Sequence, residues 1–391
     1  MHFVVLNQFF YPNVVATSQI LTDAARTMAT EHEVTAICAS GKNPAENAAR
    51  LDGVKIVRVR SFSFGHSVLN RVLSYLSFLV GASWHCIFSR RCDVYLTLTT
   101  PPLLPVIGSI AASLRGARHV IWEMDVYPDI ACDIGFFKKN GLAEWLSGAI
   151  LDWSRRRADT IIVLGEDMKV RLLSRGIPEH KLQIAENWAD GAEIVPRPFP
   201  SGPLTIHYSG NLGLGHEVAT ITAVIGRLAG DDSFRFVFAG GGPRRAQLEA
   251  FCRARSIGNV EFRPYCASTE LSQSLSEGHL GLVMQIPETM GSIVPSKIYG
   301  IMAAGRPLLY VGPAASTPGR HIRRFDCGWR VEPGDVDGFI ALLNHLKLNR
   351  HLIDESGDRA RAAFERNFDR PIGVSRVLAI MLDAQTHALP V

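Results

Sequence analysis

The sequence of 391 residues predicts an α/β protein with two doubly wound domains. Short apolar runs rich in β-branched residues alternate with helix-length segments, which is typical of parallel sheets covered by helices on both faces. One segment, residues 196–203, interrupts this alternation with four prolines. Because closely spaced prolines favour a stiff, extended linker, we expect the domain boundary there.

The first domain should span residues 1–195 and the second residues 204–368. Strands are predicted in the first domain at Phe3–Leu6, Val34–Cys38, Val54–Val59, Val94–Leu98, His119–Trp122 and Thr160–Leu164. Strands are predicted in the second domain at Leu204–Tyr208, Phe234–Phe238, Val260–Phe262, Leu280–Met284 and Pro307–Val311. Two amphipathic helices should end the chain, with residues 369–391 crossing back to the first domain. Ligands are expected in a cleft between the domains.

Composition excludes several classes of protein. Hydrophobic residues make up 47% of the chain and the net charge is only +4, so neither disorder nor nucleic-acid binding is expected. The thirteen histidines include no H-x-x-x-H pair and the seven cysteines no C-x-x-C pair. We therefore expect no metal site, no cofactor and no disulfide framework. Unpaired thiols and an N-terminus without an export signal predict a cytoplasmic protein.

Two glycine-rich loops follow strands of the second domain. The first has the sequence SGNLGLGH at residues 209–216, and the second has three glycines at residues 240–242 before a helix. Glycine lets backbone amides approach a phosphate closely, and the helix N-terminus adds a favourable dipole. The order G-x-x-G-x-G in mid-chain differs from the dinucleotide-binding pattern and argues against NAD. For either loop, a tight packing turn stays open as the alternative.

The segment VPSKIYGIMAAGRP at residues 294–307 predicts a short helix with Ser296 as its N-cap. Lys297 would then lie in the first helical turn. Because a cation at a helix start opposes the helix dipole, we expect Lys297 to contact an anion. The alternative is a solvated surface lysine.

These loops, together with Asn7–Pro12, Trp122–Pro128 and Asn187-Trp188, resemble the retaining nucleotide-sugar glycosyltransferases of family 4. The resemblance covers nearly the whole chain and is greatest to a branch with fucosaminyl-type transferases of bacterial O-antigen and capsule synthesis. It implies the GT-B fold, with two Rossmann-like domains facing across a cleft. It also implies a nucleoside diphosphate sugar as donor, with UDP the expected nucleotide, and a lipid-linked or saccharide acceptor.

The resemblance implies a donor site built from a defined set of residues. They are Thr17, Gly210, Asn211, Gly213, Gly215, Gly241, Tyr265, Ser296, Lys297 and Gly300. The glycines would line the diphosphate, Tyr265 would flank the base, and Ser296 with Lys297 would neutralise the charge. Thr17 has the alternative role of capping the following helix.

One feature of the wider family is missing from this sequence. Its usual glutamate pair would fall on Ser292 and Gly300, neither of which offers a carboxylate. Glu288 is a candidate substitute, and an ordinary loop glutamate is the alternative. The missing pair leaves open a catalytically weak nucleotide-sugar-binding partner subunit. A nucleotide-sugar 2-epimerase has the same fold and is a further alternative, but it would need several cleft carboxylates and histidines that the sequence does not bring together.

Asp125 is the predicted catalytic residue, because it follows the strand His119–Trp122 directly and should face the cleft. Its alternative role is to cap the turn before Tyr127-Pro128. The resemblance implies metal-independent retaining transfer, in which the leaving phosphate accepts the proton of the acceptor. Lys297 and loop amides would stabilise the developing negative charge.

The first domain also contains a basic region. Residues 58–118 include seven arginines and one acidic residue, Asp93, for a net charge of +6. Within them, Val72–Phe88 is free of charged side chains and is flanked by Arg71 and by Arg90-Arg91. This pattern predicts a helix that lies on the inner face of an anionic membrane and is too short to span it. A buried helix of the domain is the alternative.

Overall fold

The computed structural model describes residues 1–41, 44–62, 68–88 and 90–383. The chain divides into two compact units. Unit 1 comprises Met1–Glu186 and the C-terminal residues from Gly373, and unit 2 comprises Asn187–Ile372. Each unit has a parallel sheet with helices between successive strands, which confirms the predicted doubly wound α/β class.

Unit 1 is built on a seven-stranded parallel sheet of order β3-β2-β1-β4-β5-β6-β7. Its elements are β1 (His2–Leu6), α1 (Ala16–Met28), β2 (Glu33–Ala39), α2 (Pro44–Ala48), β3 (Val54–Val59), α3 (Val68–Phe88), β4 (Val94–Thr97), α4 (Leu104–Arg115), β5 (Arg118–Glu123), α5 (Asp129–Asp133), α6 (Leu142–Arg157), β6 (Thr160–Val163), α7 (Glu166–Ser174) and β7 (Leu182–Ile184). The order reverses between β1 and β4, which is where open parallel sheets place their ligand sites.

Unit 2 has a six-stranded parallel sheet of order β10-β9-β8-β11-β12-β13. Its elements are β8 (Leu204–Ser209), α8 (Ala219–Arg227), β9 (Phe234–Ala239), α9 (Pro243–Ala254), β10 (Val260–Arg263), α10 (Leu271–Ser276), β11 (Leu280–Met284), α11 (Lys297–Ala303), β12 (Leu308–Val311), α12 (Thr317–Phe325), β13 (Gly328–Val331), α13 (Val336–Leu348), α14 (Arg350–Asn367) and the start of α15 (Arg370–Asp383). Both faces of the sheet are covered. Leu282 of β11 is buried in one core and its neighbour Val283 in the other, as alternation along a strand requires.

The proline-rich segment is packed on unit 2, whereas the sequence predicted a linker at residues 196–203. Arg306 is buried, and its Nη2 donates to the carbonyl oxygens of Arg197 and Pro198 at 3.0 and 3.2 Å. Ile194, just before the segment, is buried in a core of unit 2. The carbonyl groups of the segment accept hydrogen bonds from the buried guanidinium of Arg306 and so tie the segment to unit 2. The division between the two units lies earlier in the chain, after Glu186.

Candidate functional site

Lys297 is the first residue of α11 and lies beside the first glycine loop. Its Nζ donates to Tyr208 Oη at 2.6 Å and lies 4.0 Å from the centre of the Tyr208 ring. No carboxylate in the described ranges pairs with this ammonium group. Burial lowers the pKa of Lys297 to about 7. An amine that is costly to charge without a counter-ion is well suited to bind an anion.

His216 completes this cluster, although the sequence analysis did not place it in the site. Its Nε2 lies 3.1 Å from Lys297 Nζ, and its Nδ1 lies 3.2 Å from the carbonyl oxygen of Gly213. Because a carbonyl oxygen only accepts, Nδ1 is the protonated nitrogen and Nε2 accepts from Lys297. Burial and the charge of Lys297 lower the pKa of His216 to about 3, so it stays neutral. The sequence feature that could have identified His216 as a site residue is its position at the end of the glycine loop.

The two glycine loops pack directly against each other. The N–H of Gly210 donates to the carbonyl oxygen of Ala239 at 2.8 Å, and the N–H of Leu212 donates to that of Gly241 at 2.7 Å. Gly240 has φ +129°, and a Cβ there would lie 2.1 Å from the oxygen of Gly210. Gly240 is therefore required for tight packing of the two loops, which is the alternative role given above for the glycines of the second loop.

The first loop comes close to the ammonium group at Gly210. A Cβ built on Gly210 would lie 3.8 Å from Lys297 Cε. The predicted loop residues Gly213 and Gly215 have different neighbours: Gly213 lies beside His216, and Gly215 packs on Ile293. The structure thus brings Gly210, Gly213 and Lys297 together around one point at the carboxyl end of β8.

Tyr265 lies over the second glycine loop. A Cβ on Gly241 would lie 3.1 Å from the Tyr265 ring, and Tyr265 Oη lies 3.5 Å from Asn211 Oδ1. The residue is 60% exposed. An exposed aromatic ring next to a glycine loop is a surface on which a planar base can stack.

Four other positions from the sequence analysis lie in or near α11. Ser296 occupies the N-cap position, but its side chain makes no capping hydrogen bond. Gly300 lies one turn after Lys297, where a Cβ would contact Leu275 and Ile194. Ser292 is buried and its Oγ donates to the carbonyl oxygen of Thr289 at 3.1 Å. Glu288 is exposed in a short 3-10 turn.

In unit 1, Thr17 lies inside the first turn of α1, at the carboxyl end of β1. The N-cap of this helix is Val15, which has no capping side chain, so the predicted capping role of Thr17 is wrong. The next residue, Ser18, has a buried Oγ without a hydrogen-bond partner in the described chain. This first turn contains no acidic residue. Its free amides and hydroxyls can bind an anion or a sugar hydroxyl.

Asp125 follows β5 directly, as the sequence predicted. Its backbone N–H donates to Thr99 Oγ1 at 3.2 Å, while its carboxylate makes no hydrogen bond or ion pair within the described ranges. Burial and the nearby Glu123 raise the pKa of Asp125 to about 6. The structure does not show the turn-cap alternative, because in the described chain the Asp125 carboxylate accepts no hydrogen bond from the turn before Tyr127-Pro128.

Glu123 and Asp129, on either side of Asp125, are paired elsewhere. Arg155 is buried and donates to Glu123 at 2.5 Å from Nη2, and Arg175 donates to Asp129 at 2.9 Å. Asp125 is therefore the carboxylate of this segment that is available to a substrate.

The helix predicted at Val72–Phe88 is α3, which begins earlier, at Val68. One face, with Phe78, Ala82 and Cys86, is buried in a core of unit 1. The opposite face is exposed and equally apolar, with Val80 and Trp84 more than 60% accessible. The helix is therefore only half buried, which excludes the fully buried alternative.

Potential metal ligands are scattered over the described chain. Over residues 1–41, 44–62, 68–88 and 90–383, no three His, Cys, Asp or Glu side chains lie close enough together to hold a metal ion. The absence of a metal requirement stays a prediction.

Comparison with known sequences connects this arrangement to sugar transfer. Residues 16–188 match the family model of the glycosyl transferase 4-like domain. The probable glycosyltransferase WbjE of Pseudomonas aeruginosa is 26% identical over 341 residues, which cover 81% of this chain and 82% of that protein. The putative colanic acid biosynthesis glycosyl transferase WcaI of Escherichia coli is 24% identical over 321 residues, 78% of each protein.

Solved structures share the fold over almost the whole chain. HepE of Anabaena in complex with UDP superposes with a TM-score of 0.75 at 12% identity, covering 98% of this chain and 100% of that one. WaaG, a glycosyltransferase involved in lipopolysaccharide biosynthesis, superposes with a TM-score of 0.70 at 13% identity, over 97% of this chain and 99% of that one. Two doubly wound units of this kind define the GT-B fold. The sequence comparisons show that the chain is similar to bacterial glycosyltransferases, with the glycosyl transferase 4-like domain at residues 16–188.

Proposed function

We propose that the protein transfers a sugar from a nucleoside diphosphate sugar, with UDP as the nucleotide, to a lipid-linked or saccharide acceptor. The transfer retains the anomeric configuration and serves the synthesis of a cell-surface polysaccharide. The descriptions of two similar proteins support a role in polysaccharide synthesis. WcaI is described as a putative colanic acid biosynthesis glycosyl transferase, and WaaG as a glycosyltransferase involved in lipopolysaccharide biosynthesis. HepE crystallised with UDP and with UDP-glucose, which supports the choice of nucleotide.

One observation carries the proposal, which is the part-buried ammonium group of Lys297, without a carboxylate partner in the described chain, next to Gly210 of the first glycine loop. A diphosphate at this point would receive charge-assisted hydrogen bonds from Lys297 and from amides of the glycine loop other than those of Gly210 and Leu212, which already donate to the second loop. Tyr265 and Asn211 lie at the side of the loop where the base would bind. The remaining predicted donor residues, Thr17, Ser296 and Gly300, stay predictions.

The chemistry follows from these charges. As the bond between the anomeric carbon and the phosphate oxygen breaks, its electron pair moves to the diphosphate, where Lys297 stabilises it. The acceptor oxygen bonds to the anomeric carbon on the same face, and its proton goes to the leaving phosphate. Asp125 would orient the acceptor hydroxyl or the sugar. Its raised pKa lets the carboxyl group change charge near neutral pH.

Calorimetric titration with UDP-, GDP- and dTDP-sugars tests the donor. A ligand at a hundred times its dissociation constant would stabilise the fold by about 2.7 kcal/mol, so thermal shift serves as a second readout. Binding of a UDP-sugar and transfer to a lipid-linked acceptor are expected, with the product anomer assigned by NMR. Lack of binding by every nucleotide sugar contradicts the proposal.

The missing glutamate pair supports one competing function, a nucleotide-sugar-binding subunit with little activity of its own. Ser292 is committed to a backbone hydrogen bond and Gly300 has no side chain. Turnover by the purified chain alone separates the two, because a partner subunit would bind donor without transferring its sugar.

We also propose peripheral contact of α3 with an anionic membrane, on the cytoplasmic side. The exposed apolar face and the arginines around it support this. Replacing Arg90 and Arg91 with Glu should release the protein from anionic vesicles at moderate salt.

A further inference from the structure

The exposed apolar side chains of α3 form one continuous face. They recur at spacings of three and four residues, opposite the buried side of the helix. These side chains are Leu69, Val72, Leu73, Leu76, Val80, Trp84 and Phe88. The helix thus has a second apolar face that unit 1 does not cover.

The same surface continues on two further helices of unit 1. Helix α4 packs against both α3 and α6, so the three helices lie side by side. Exposed apolar side chains on α4 and at its start are Leu103, Ile110 and Leu114, and those on α6 are Leu142, Trp145, Leu146, Ile150 and Trp153. We call these fifteen side chains of the three helices the three-helix face. An exposed apolar surface on three adjacent helices marks an interaction site.

The charges around the three-helix face are predominantly positive. Helices α3 and α4 contain no acidic residue. The two acidic residues of α6 are already engaged: Glu144 accepts from the N–H of Asn140, and Asp152 is buried against Arg155. Exposed basic residues of these helices and the segments next to them are Arg71, Arg90, Arg91, Lys138, Lys139, Arg156 and Arg157. The exposed acidic residues of the same segments, Asp93 and Asp159, accept from the backbone N–H groups of His2 and His119. Two of the basic residues are ion-paired, Arg90 with Glu33 and Lys139 with Asp133.

The exposed tryptophans of the chain are concentrated on the three-helix face. Three of the six are exposed, and all three lie on the three-helix face: Trp84, Trp145 and Trp153. The other three are buried or half-buried, and they are Trp122, Trp188 and Trp329. The guanidinium of Arg157 stands 5.5 Å from the centre of the Trp153 ring. Tryptophan next to a basic residue is typical of the zone between lipid headgroups and acyl chains.

We propose that the three-helix face is a membrane-docking surface, in which α6 provides a second contact with anionic lipid beside α3. The proposal rests on the proposed function, because a lipid-linked acceptor must be reached from a bilayer surface. An apolar face with basic residues and no available carboxylate fits the headgroup layer of an anionic membrane better than a mixed-charge protein surface. No helix in the described part of the chain is long and apolar enough to cross a bilayer, so the contact proposed is superficial.

Binding to vesicles tests the contribution of α6. The double variant Trp145→Glu/Leu146→Glu places two carboxylates on the exposed side of α6, 67% and 51% accessible in the native chain. We expect it to bind vesicles of phosphatidylglycerol and phosphatidylcholine at least about tenfold more weakly than the wild type. Leu348→Glu is the matched control, because Leu348 is an exposed apolar residue of unit 2 and should change nothing. Equal vesicle binding by the wild type and the α6 variant overturns the proposal.

Two further measurements distinguish membrane docking from misfolding and from self-association. The α6 variant must keep the circular dichroism spectrum and the urea unfolding transition of the wild type, which shows that unit 1, where α6 lies, is folded. Failure of the wild type to bind UDP would count against the proposed function and not against docking. Lipids brominated on the acyl chain should quench the fluorescence of the wild type, with less quenching in Trp145→Phe/Trp153→Phe. A dimer in sedimentation that the α6 variant abolishes, without vesicle binding by the wild type, would overturn docking and assign the face to a second copy of the chain.

Discussion

The side-chain nitrogen of Lys297 lies 3.1 Å from Nε2 of His216, and no carboxylate of the described chain lies between or beside them to balance the charge. The imidazole donates from Nδ1 to the carbonyl oxygen of Gly213, so it accepts from the lysine without taking up a proton. This arrangement keeps one positive charge aimed at the glycine loop. A bound diphosphate would supply the missing counter-ion.

Replacing Lys297 with Ala should weaken the binding of UDP by about 1.5–3 kcal/mol, the range for a hydrogen bond with a charged partner. Calorimetry at pH 7 measures the change as a loss of affinity of roughly tenfold or more. Lys347→Ala is the control, because Lys347 also belongs to unit 2 but contacts Phe234 and Ser233. Unchanged affinity in Lys297→Ala would show that Lys297 does not contact the diphosphate.

The binding of UDP-glucose should take up a proton above neutral pH. The free protein has a Lys297 pKa of about 7, and a bound diphosphate raises it by favouring the charged form. Affinity is therefore highest below pH 7 and falls as pH rises from 7, by up to about tenfold per pH unit. Calorimetry at pH 8 in two buffers of different ionisation enthalpy measures the uptake. Lys297→Met should abolish it, and uptake that persists in this variant would assign the proton to another group.

Much of this fold was predictable because apolar runs mark buried strands regardless of tertiary context. The predicted strand Val54–Val59 has the observed bounds, and Leu280–Met284 does too. The sequence analysis missed β7 and β13, since Leu182–Ile184 is only three residues long and β13 carries a part-exposed arginine. It also misplaced the boundary between the units, because proline spacing does not reveal that Arg306 binds the segment.

The sequence predicts those parts of the candidate site that depend on the type and position of a single residue. Lys297 and the glycines were found from their positions next to a strand and a helix. His216 was missed because its role depends on the 3.1 Å approach to Lys297, 81 residues away in the sequence. The capping role of Thr17 was wrong because the helix begins one residue earlier, at Ala16.

Asp125→Asn should lower turnover by about 100-fold or more while leaving UDP affinity unchanged. The carboxylate has no partner in the described chain, so its removal costs little folding free energy. Because its pKa is raised to about 6, kcat/KM of the wild type should fall as pH drops through 6, and this acidic limb should disappear in the variant. Asp52→Asn is the control, because Asp52 is an exposed carboxylate of unit 1 and its removal should leave turnover unchanged. Near-normal turnover by Asp125→Asn would contradict a catalytic role.

Tyr265→Ala should weaken the binding of UDP but not that of inorganic diphosphate. The ring lies over Gly241 and is exposed, so a base can stack on it without disturbing the core. Loss of one base-stacking contact costs about 1–3 kcal/mol. Competition titrations with the two ligands separate the base from the diphosphate. Equal weakening of both would place Tyr265 beside the diphosphate instead.

Gly240→Ala should unfold the donor loops, because the new Cβ would lie 2.1 Å from the carbonyl oxygen of Gly210 and the residue has φ +129°. Backbone strain and the clash together should destabilise the fold by about 3 kcal/mol or more. Gly230→Ala is the matched control, since Gly230 also has a positive φ, +80°, but nothing lies within 4 Å of its Cβ position. Urea denaturation should therefore show a large loss of stability for Gly240→Ala and a small one for Gly230→Ala. Similar losses in both would mean that positive φ alone, and not the contact between the two loops, requires glycine at position 240.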